Sequence, residues 1–210
     1  MVLLSKELWF PEVSQANEEG CLAVGGDLSP ERLLLAYRSG IFPWFIEQGL
    51  PFWFSPSERF VLYPQELRVS KSMKQILRQE KFTITENQAF KLVIEQCANT
   101  HELKDGSTWI SEEFIQSYNE LHRLGYARSV EVWENDKLAG GLYGVVVGSV
   151  FCGESMFSIS PNASKTALIH LCQSNNYKLI DCQLYTAHLE SLGARLISRE
   201  DFLVQLKFQP

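Results

Sequence analysis

Residues 127–157 read ARSVEVWENDKLAGGLYGVVVGSVFCGESMF, and this stretch decides the fold class. Apolar and polar residues alternate at its start, and Asn135-Asp136 and Gly148-Ser149 are dipeptides typical of tight turns between antiparallel strands. The pattern therefore predicts a meander of neighbouring antiparallel strands. We expect these strands to span 127–133, 137–147 and 150–157.

Segments with the apolar spacing of helices lie on both sides of this meander. Helices packed on a mostly antiparallel sheet form an α+β domain, and this order of elements matches the GNAT-like (N-acyltransferase) fold. A fold by itself does not give a function. The predicted helices are 70–79, 88–99, 111–124 and 163–173, followed by a strand at 179–184, a short helix at 189–192 and a short strand at 195–197.

Residues 1–60 differ in composition from the rest, because aromatic side chains separated by Gly and Pro are concentrated there. One helix is clear: Ser29 is a good N-cap, Pro30 fits the first helical position, and Gly40 can close the C-terminus. We predict a small, aromatic-rich N-terminal subdomain with few regular elements. It would act as a lid and form part of the substrate site, with residues 61–210 as the GNAT-like catalytic domain.

The composition excludes several classes of protein. The chain has 210 residues, a formal net charge of −6, and ordinary proportions of hydrophobic (45%) and charged (21%) residues, as in soluble globular proteins. No apolar run approaches the ~20 residues that span a bilayer, and the N-terminus lacks a signal-peptide pattern. The five cysteines and four histidines do not occur at metal-ligand spacing. We expect a cytoplasmic protein, monomeric, without a metal site or membrane partner.

Asp181 and Gln183 are the strongest candidates for chemistry. They lie two apart in the apolar segment 178–185, so both side chains should point to one face of a strand, and Cys182 to the other. A carboxylate and an amide on one face could orient and deprotonate an amine. The alternative is a pair of polar residues whose hydrogen bonds are satisfied at a strand end.

The acidic residue of the neighbouring strand is the second candidate. Alternation in 153–158 places Glu154, Met156 and Ser158 on one face. A solvated glutamate at an exposed edge is the usual explanation for one such residue. If Glu154 lies near Asp181 in the sheet, however, the two carboxylates form an acidic pocket.

Each of three further sets of residues could bind a substrate or could have a purely structural role. Apolar side chains could form an adaptable donor pocket or simply the core. A basic stripe could contact phosphates or be a solvated helix face. Aromatic rings could stack on a nucleobase or fill the N-terminal core. The sets are Leu142, Met156, Leu168 and Leu171; Lys71, Lys74, Arg78 and Lys81; and Tyr37, Trp44, Trp53 and Trp109.

A coenzyme cradle is missing from the sequence. Acetyl-CoA-dependent enzymes with this fold bind the pyrophosphate on a glycine-rich loop at a helix N-terminus. The corresponding residues are Asn162-Ala163-Ser164-Lys165. The glycine run 140–144 lies inside a strand, where it predicts a bulge or a close approach of another group rather than a phosphate loop.

Segments spread over nearly the whole chain, taken together, resemble the bacterial leucyl/phenylalanyl-tRNA–protein transferases. No single motif decides the resemblance, but so many segments in the same order are highly specific. The matching segments are 22–29, Tyr37, 40–45 (GIFPWF), 108–110 (TWI), 140–144, 152–158 (CGESMFS), 162–168 and 179–183 (LIDCQ).

The resemblance implies transfer of Leu or Phe, and less efficiently Met, from the acceptor end of aminoacyl-tRNA to proteins that begin with Arg or Lys. This marks those proteins for degradation by the N-end rule and needs no cofactor. In the family, the residues at Asp181 and Gln183 serve catalysis. Those at Glu154, Trp44 and Trp109 line the substrate site.

Two other functions remain open from the residues alone. A GNAT-like acyl-CoA N-acetyltransferase is disfavoured by the missing pyrophosphate loop. A non-catalytic module could bind the N-terminal residue of proteins through Glu154 and Asp181. The net charge of −6 is unexpected for a protein that binds tRNA, and it fits best if the basic stripe grips the acceptor end alone.

Overall fold

The structure is a computed structural model, and it describes residues 1–105 and 108–207. Its N-terminal part holds a four-stranded sheet in the order β1-β2-β4-β3, with one helix beside it. The prediction of few regular elements in residues 1–60 is therefore wrong, because short aromatic strands interrupted by Gly and Pro still pair into a sheet. The elements are β1 (Val2–Leu4), β2 (Cys21–Gly25), α1 (Pro30–Arg38), β3 (Phe42–Glu47) and β4 (Leu50–Phe54).

The rest of the chain forms a seven-stranded sheet in the order β11-β5-β10-β9-β8-β7-β6. All neighbours in it are antiparallel except β9 and β10, which are parallel. The predicted meander forms its centre. The strands are β5 (Glu58–Leu62), β6 (Thr83–Glu86), β7 (Ala127–Glu134), β8 (Lys137–Val147), β9 (Val150–Ser158), β10 (Leu179–Asp181) and β11 (Arg195–Ser198).

Helices cover both faces of this sheet. One group of buried side chains joins α3 and α4 to the N-terminal sheet, and another lies between α5 and the opposite face. The first group runs without interruption from Trp53 of β4 to Phe114 of α4, so the N-terminal part shares its core with the larger sheet. The α+β, GNAT-like prediction is confirmed. The helices are α2 (Lys71–Arg78), α3 (Phe90–Asp105), α4 (Glu112–Arg123), α5 (Ala163–Gln173), α6 (Ala187–Ser191) and α7 (Arg199–Lys207).

The glycine run of β8 explains two close approaches. A Cβ on Gly140 would lie 2.5 Å from the Cβ of Ala163, at the start of α5. A Cβ on Gly144 would lie 2.2 Å from the carbonyl oxygen of Cys152 on β9. Register shifts at this second point: Tyr143 pairs with Ser155 and Gly144 with Gly153, which leaves Glu154 in a β-bulge.

Strands β9 and β10 separate where the site forms. Their last paired residues are Cys152 and Asp181, after which β9 continues to Ser158 while β10 ends. The sequence predicted that this strand would reach residue 184. It ends earlier because Gln183 has a φ of 61°, and the amide of Leu184 donates to the carbonyl of Cys182 to close a turn.

Candidate active site

A cavity of about 250 Å³ opens where β9 and β10 separate. Its walls are mostly apolar, and its two carboxylates, those of Glu154 and Asp181, lie near each other because both accept hydrogen bonds from Gln183. A few neighbouring polar groups in an apolar cavity are typical of small-molecule sites. Five predicted binding residues (Trp109, Leu142, Met156, Leu168 and Leu171) line it, together with Glu154 and Asp181. The other lining residues are Tyr143, Phe151, Gly153, Ser155, Ile180, Cys182, Thr186 and Leu189.

Asp181 is fully buried and forms an ion pair with Arg59. The Nε and Nη2 atoms of Arg59 donate to Oδ1 and Oδ2 of Asp181 at 2.9 and 2.8 Å, which is the bidentate geometry of a strong charge-assisted pair. Burial alone would lower the pKa of Arg59, but the Asp181 carboxylate more than offsets this and raises it. The guanidinium of Arg59 is therefore charged, and it pairs with the Asp181 side chain inside the protein.

Gln183 is held by groups on both sides. Its backbone N–H donates to Oδ1 of Asp181 at 2.9 Å, and its Nε2 donates to Oε1 of Glu154 at 2.7 Å. Its carbonyl oxygen accepts from the amide of Phe60 at 3.2 Å. The side-chain oxygen Oε1 of Gln183 accepts no hydrogen bond from the part of the chain that the structure describes, and so remains open to a substrate donor.

Glu154 is buried, with 9% of its surface exposed, and its hydrogen bonds come from uncharged groups. Tyr118 donates to Oε2 of Glu154 at 3.0 Å, and the Tyr118 hydroxyl is itself hydrogen-bonded to that of Tyr37. Burial raises the pKa of Glu154 to about 7, although the hydroxyls of both tyrosines favour the ionised form. Glu154 can therefore gain and lose a proton near neutral pH.

The predicted common face of Glu154, Met156 and Ser158 is wrong. The bulge at Glu154 shifts the alternation, so Glu154 faces Tyr118 of α4 while Met156 packs with the α5 side of the sheet. The hydroxyl of Ser158 donates to the carbonyl of Ser160 and accepts from the amide of Ser164, outside the cavity lining. A bulge leaves little trace in a single sequence, which is why strict alternation failed here.

Three of the four predicted aromatic residues also lie outside the cavity lining, and one of them, Trp53, is fully buried in the core. Tyr37 is buried on α1 and reaches Glu154 through the hydroxyl of Tyr118. Trp44 of β3 packs edge-on against Phe54, with ring centroids 4.8 Å apart, within the N-terminal sheet. A substrate-binding role for either residue stays a prediction.

The predicted basic stripe lies mainly on α2. Lys71, Lys74 and Arg78 are exposed there. Lys81 follows the helix, and its Nζ is 3.0 Å from Oε1 of Glu134, so its charge is partly compensated. The tRNA-binding role of this stripe also stays a prediction.

Two residues of the site escaped the sequence analysis. Side chains alternate between the two faces of β5, so Arg59 shares a face with the buried Val61. A cation on a buried face of a strand was the feature of the sequence that could have indicated its role. Tyr118 fits the apolar spacing of α4, and its ring packs in the core, so its position alone does not indicate a polar role. Its hydroxyl function depends on Glu154, which lies on a different element.

Comparison with known proteins now decides the family. The pattern of the leucyl/phenylalanyl-tRNA protein transferase family matches residues 61–207, and that of its N-terminal domain matches residues 26–57. The chain belongs to this family. The resemblance found in the sequence is thereby confirmed, and so is the assignment to an aminoacyltransferase family.

Relatives match over nearly the full length. A leucyl/phenylalanyl-tRNA–protein transferase of Flavobacterium johnsoniae is 55% identical over 99% of this chain and 99% of its own. One of Syntrophobacter fumaroxidans is 52% identical over 97% of this chain and 88% of its own. Among solved structures, FemX covers 80% of this chain and 66% of its own with a TM-score of 0.52 at 10% identity, which shows a likeness of fold alone.

Two further observations concern the described residues. No helix in residues 1–105 and 108–207 is both long and apolar enough to cross a membrane. The same residues contain no group of three or more His, Cys, Asp or Glu side chains that could hold a metal ion.

Proposed function

We propose that this transferase moves leucyl or phenylalanyl groups, and methionyl less efficiently, from aminoacyl-tRNA to the α-amino group of proteins that begin with Arg or Lys. The modified proteins would enter N-end rule degradation in the cytoplasm, and the enzyme would act as a monomer. The observation that carries the proposal is a mostly apolar cavity of about 250 Å³ lined by Glu154, which accepts a hydrogen bond from the side chain of the neighbouring Gln183.

The apolar part of the cavity suits an unbranched-at-Cβ donor side chain. Leu142, Met156, Leu168 and Leu171 form much of its wall, and leucine and methionine side chains adapt to a linear or aromatic group. A β-branched Val or Ile would be rejected by shape, at about 1–3 kcal/mol.

The polar end suits attack by an amine on an ester. The amine nitrogen would form a bond to the ester carbonyl carbon, and the bond from that carbon to the 3′-terminal oxygen of tRNA would break. The proton that the amine loses would pass to this oxygen, so that the tRNA leaves with a free hydroxyl. The ester is already activated, and an α-amino group with a pKa of about 7.7–8.0 is partly unprotonated near neutrality. Positioning is therefore the main requirement, and the free Oε1 of Gln183 can accept the amine N–H.

Glu154 is our candidate for binding the cationic side chain of the acceptor. Both cavity-lining carboxylates could attract a cation, but Asp181 is already paired with Arg59. Glu154 hydrogen-bonds to a hydroxyl and an amide, so its charge is available to a guanidinium or ammonium group.

A transfer assay tests the proposal directly. Protein mixed with radiolabelled Leu-tRNA, and separately Phe-tRNA, should label a peptide that begins with Arg and leave one that begins with Ala unlabelled. Binding of the Arg peptide without transfer would indicate the non-catalytic module. Acetylation of the peptide by acetyl-CoA, with no transfer from tRNA, would indicate the acetyltransferase.

The basic stripe is tested by salt dependence. Replacing Lys74 by Ser should weaken tRNA binding and reduce the slope of log affinity against log salt by about one, because one phosphate contact is lost. Lys137→Ser, which removes an exposed lysine at the start of β8, is the matched control and should leave the slope unchanged. Equal slopes for the two variants would place the tRNA footprint elsewhere.

A further inference from the structure

Arg59 is a buried arginine held by several groups, and the proposed reaction gives it no role so far. Its side chain is 2% exposed, and its Nη1 donates to the carbonyl oxygen of Gly40 at 3.2 Å in addition to the bidentate pair with Asp181. The guanidinium lies between the rings of Phe42 and Phe202, with its carbon 4.6 Å from each ring centroid. Aromatic faces attract such a cation, so its position is fixed from several sides.

The hydrogen bonds lead from Arg59 to Gln183 in one further step. Oδ1 of Asp181 accepts from Nε of Arg59 and also from the backbone N–H of Gln183, both at 2.9 Å. The next residue of β5, Phe60, accepts from the amide of Cys182 at 2.8 Å and donates to the carbonyl of Gln183. The turn that carries Gln183 is therefore attached to the strand that carries Arg59.

This attachment maintains an unfavourable backbone conformation. Gln183 has a φ of 61°, in the left-handed region that a side chain other than glycine adopts only at an energetic cost. The hydrogen bond from its N–H to Asp181 favours that conformation, which directs the amide side chain toward Glu154. Without it, the turn could relax and carry the side chain away from the cavity.

We propose that Arg59 is a positioning residue for the transfer reaction, acting through Asp181 on Gln183. Asp181 then serves as a hydrogen-bond acceptor rather than a proton acceptor, since both its oxygens are occupied by Arg59 and one also by Gln183. The inference rests on the proposed function. It also brings α7 into the site, because Phe202 of that helix forms one side of the cation's environment.

Double variants separate positioning from folding. Arg59→Met alone leaves a buried carboxylate unpaired and can prevent folding, so Asp181 is replaced as well. In Arg59→Met/Asp181→Asn the charge is gone but the Asn oxygen can still accept from the Gln183 N–H, and kcat should stay within about tenfold of wild type. In Arg59→Met/Asp181→Leu the acceptor is also gone, and kcat should fall by about 100-fold while KM for both substrates changes little.

A conservative variant and a matched control complete the test. Arg59→Lys keeps the charge and loses the bidentate geometry, and should lower kcat about tenfold at unchanged KM. Arg32 is a second buried arginine, 1% exposed, which bonds to Asp27 and to the carbonyls of Ser5 and Glu7. Arg32→Met should lower the melting temperature but leave kcat of the folded protein within about twofold.

Three results would overturn the inference. A folded Asn double variant as inactive as the Leu double variant would show that the carboxylate charge takes part in the chemistry. A Leu double variant as active as the Asn one would show that Asp181 does not position Gln183. Wild-type kcat in Arg59→Lys would remove the guanidinium geometry from the mechanism. Failure of the wild-type protein to transfer label would instead contradict the proposed function itself.

Discussion

Two buried carboxylates flank Gln183, and their surroundings differ in kind. Asp181, on β10, is paired with the guanidinium of Arg59 at 2.8 and 2.9 Å. Glu154, in the bulge of β9, is hydrogen-bonded by the hydroxyl of Tyr118 and the amide of Gln183, neither of which carries a charge. One carboxylate forms an ion pair with a cation, and the other accepts hydrogen bonds from uncharged groups.

This difference indicates different roles for Asp181 and Glu154. A buried carboxylate in a bidentate ion pair is held in position by two hydrogen bonds, which suits a support for the backbone of Gln183. A buried carboxylate without a cationic partner has its pKa raised to about 7, so it changes charge in the range where the reaction runs. Two acidic residues on adjacent strands therefore provide one ion-paired group and one group whose pKa lies near neutrality.

Removing the cation should have the largest effect. Arg59→Met leaves Asp181 charged, buried and unpaired, and we expect the free energy of unfolding to fall by about 3–5 kcal/mol. Arg59→Met/Asp181→Leu removes both charges and should recover most of that loss. Urea unfolding followed by tryptophan fluorescence measures both. A loss below about 1 kcal/mol in the single variant would mean that the two carboxylates do not differ as described.

Replacing Gln183 should have the second-largest effect. Gln183→Ala eliminates the side-chain amide that donates to Glu154 and keeps the backbone N–H that donates to Asp181. We expect kcat to fall by about 10²–10³-fold, as for loss of one preorganised polar group in other active sites. Single-turnover transfer from Leu-tRNA to an Arg peptide measures the change. Gln116→Ala, at an exposed position on α4, should behave like wild type. Comparable kcat in the two variants would remove Gln183 from the mechanism.

The titratable carboxylate should be visible in the pH dependence of stability. The pKa of Glu154 rises from 4.5 to about 7 on folding, so the folded protein binds its proton more tightly and stability falls as pH rises across that window. Relative to Glu154→Gln, wild type should lose about 1–3 kcal/mol between pH 5 and pH 8. Urea unfolding across this range measures the difference. Parallel curves for the two proteins would contradict a titrating Glu154.

The smallest effect should come from the hydroxyl that tunes Glu154. The Tyr118 hydroxyl favours the ionised form, so Tyr118→Phe should raise the pKa of Glu154 further. The acid side of the kcat profile should then move to higher pH by up to about one unit, which is at most about tenfold in rate at a fixed pH. Tyr126→Phe, at a residue that is 37% exposed and outside the cavity lining, should leave the profile in place. A shift to lower pH in Tyr118→Phe would contradict the assigned direction.

The core of the fold could be predicted from local patterns. Turn dipeptides at 135–136 and 148–149 and regular alternation placed the meander within one residue of β7, β8 and β9, and helical spacing placed α5 at its observed bounds. Strands β1 to β6 were missed because short aromatic or edge strands carry little periodic signal. The family resemblance came from many segments in order, and relatives 50–55% identical over nearly the full length confirm it.

The sequence by itself determined the residue types of the site: an aspartate and a glutamine two apart, a nearby glutamate, and leucine and methionine for an apolar pocket. Only the tertiary structure decided which carboxylate is paired and which is free to titrate. Asp181 and Arg59 are 122 residues apart, and Tyr118 and Glu154 are 36 apart. Protonation and hydrogen bonding depend on burial and on neighbours that are distant in the sequence. A β-bulge decides which face of the sheet Glu154 points to. No local sequence pattern therefore predicts the state of either carboxylate.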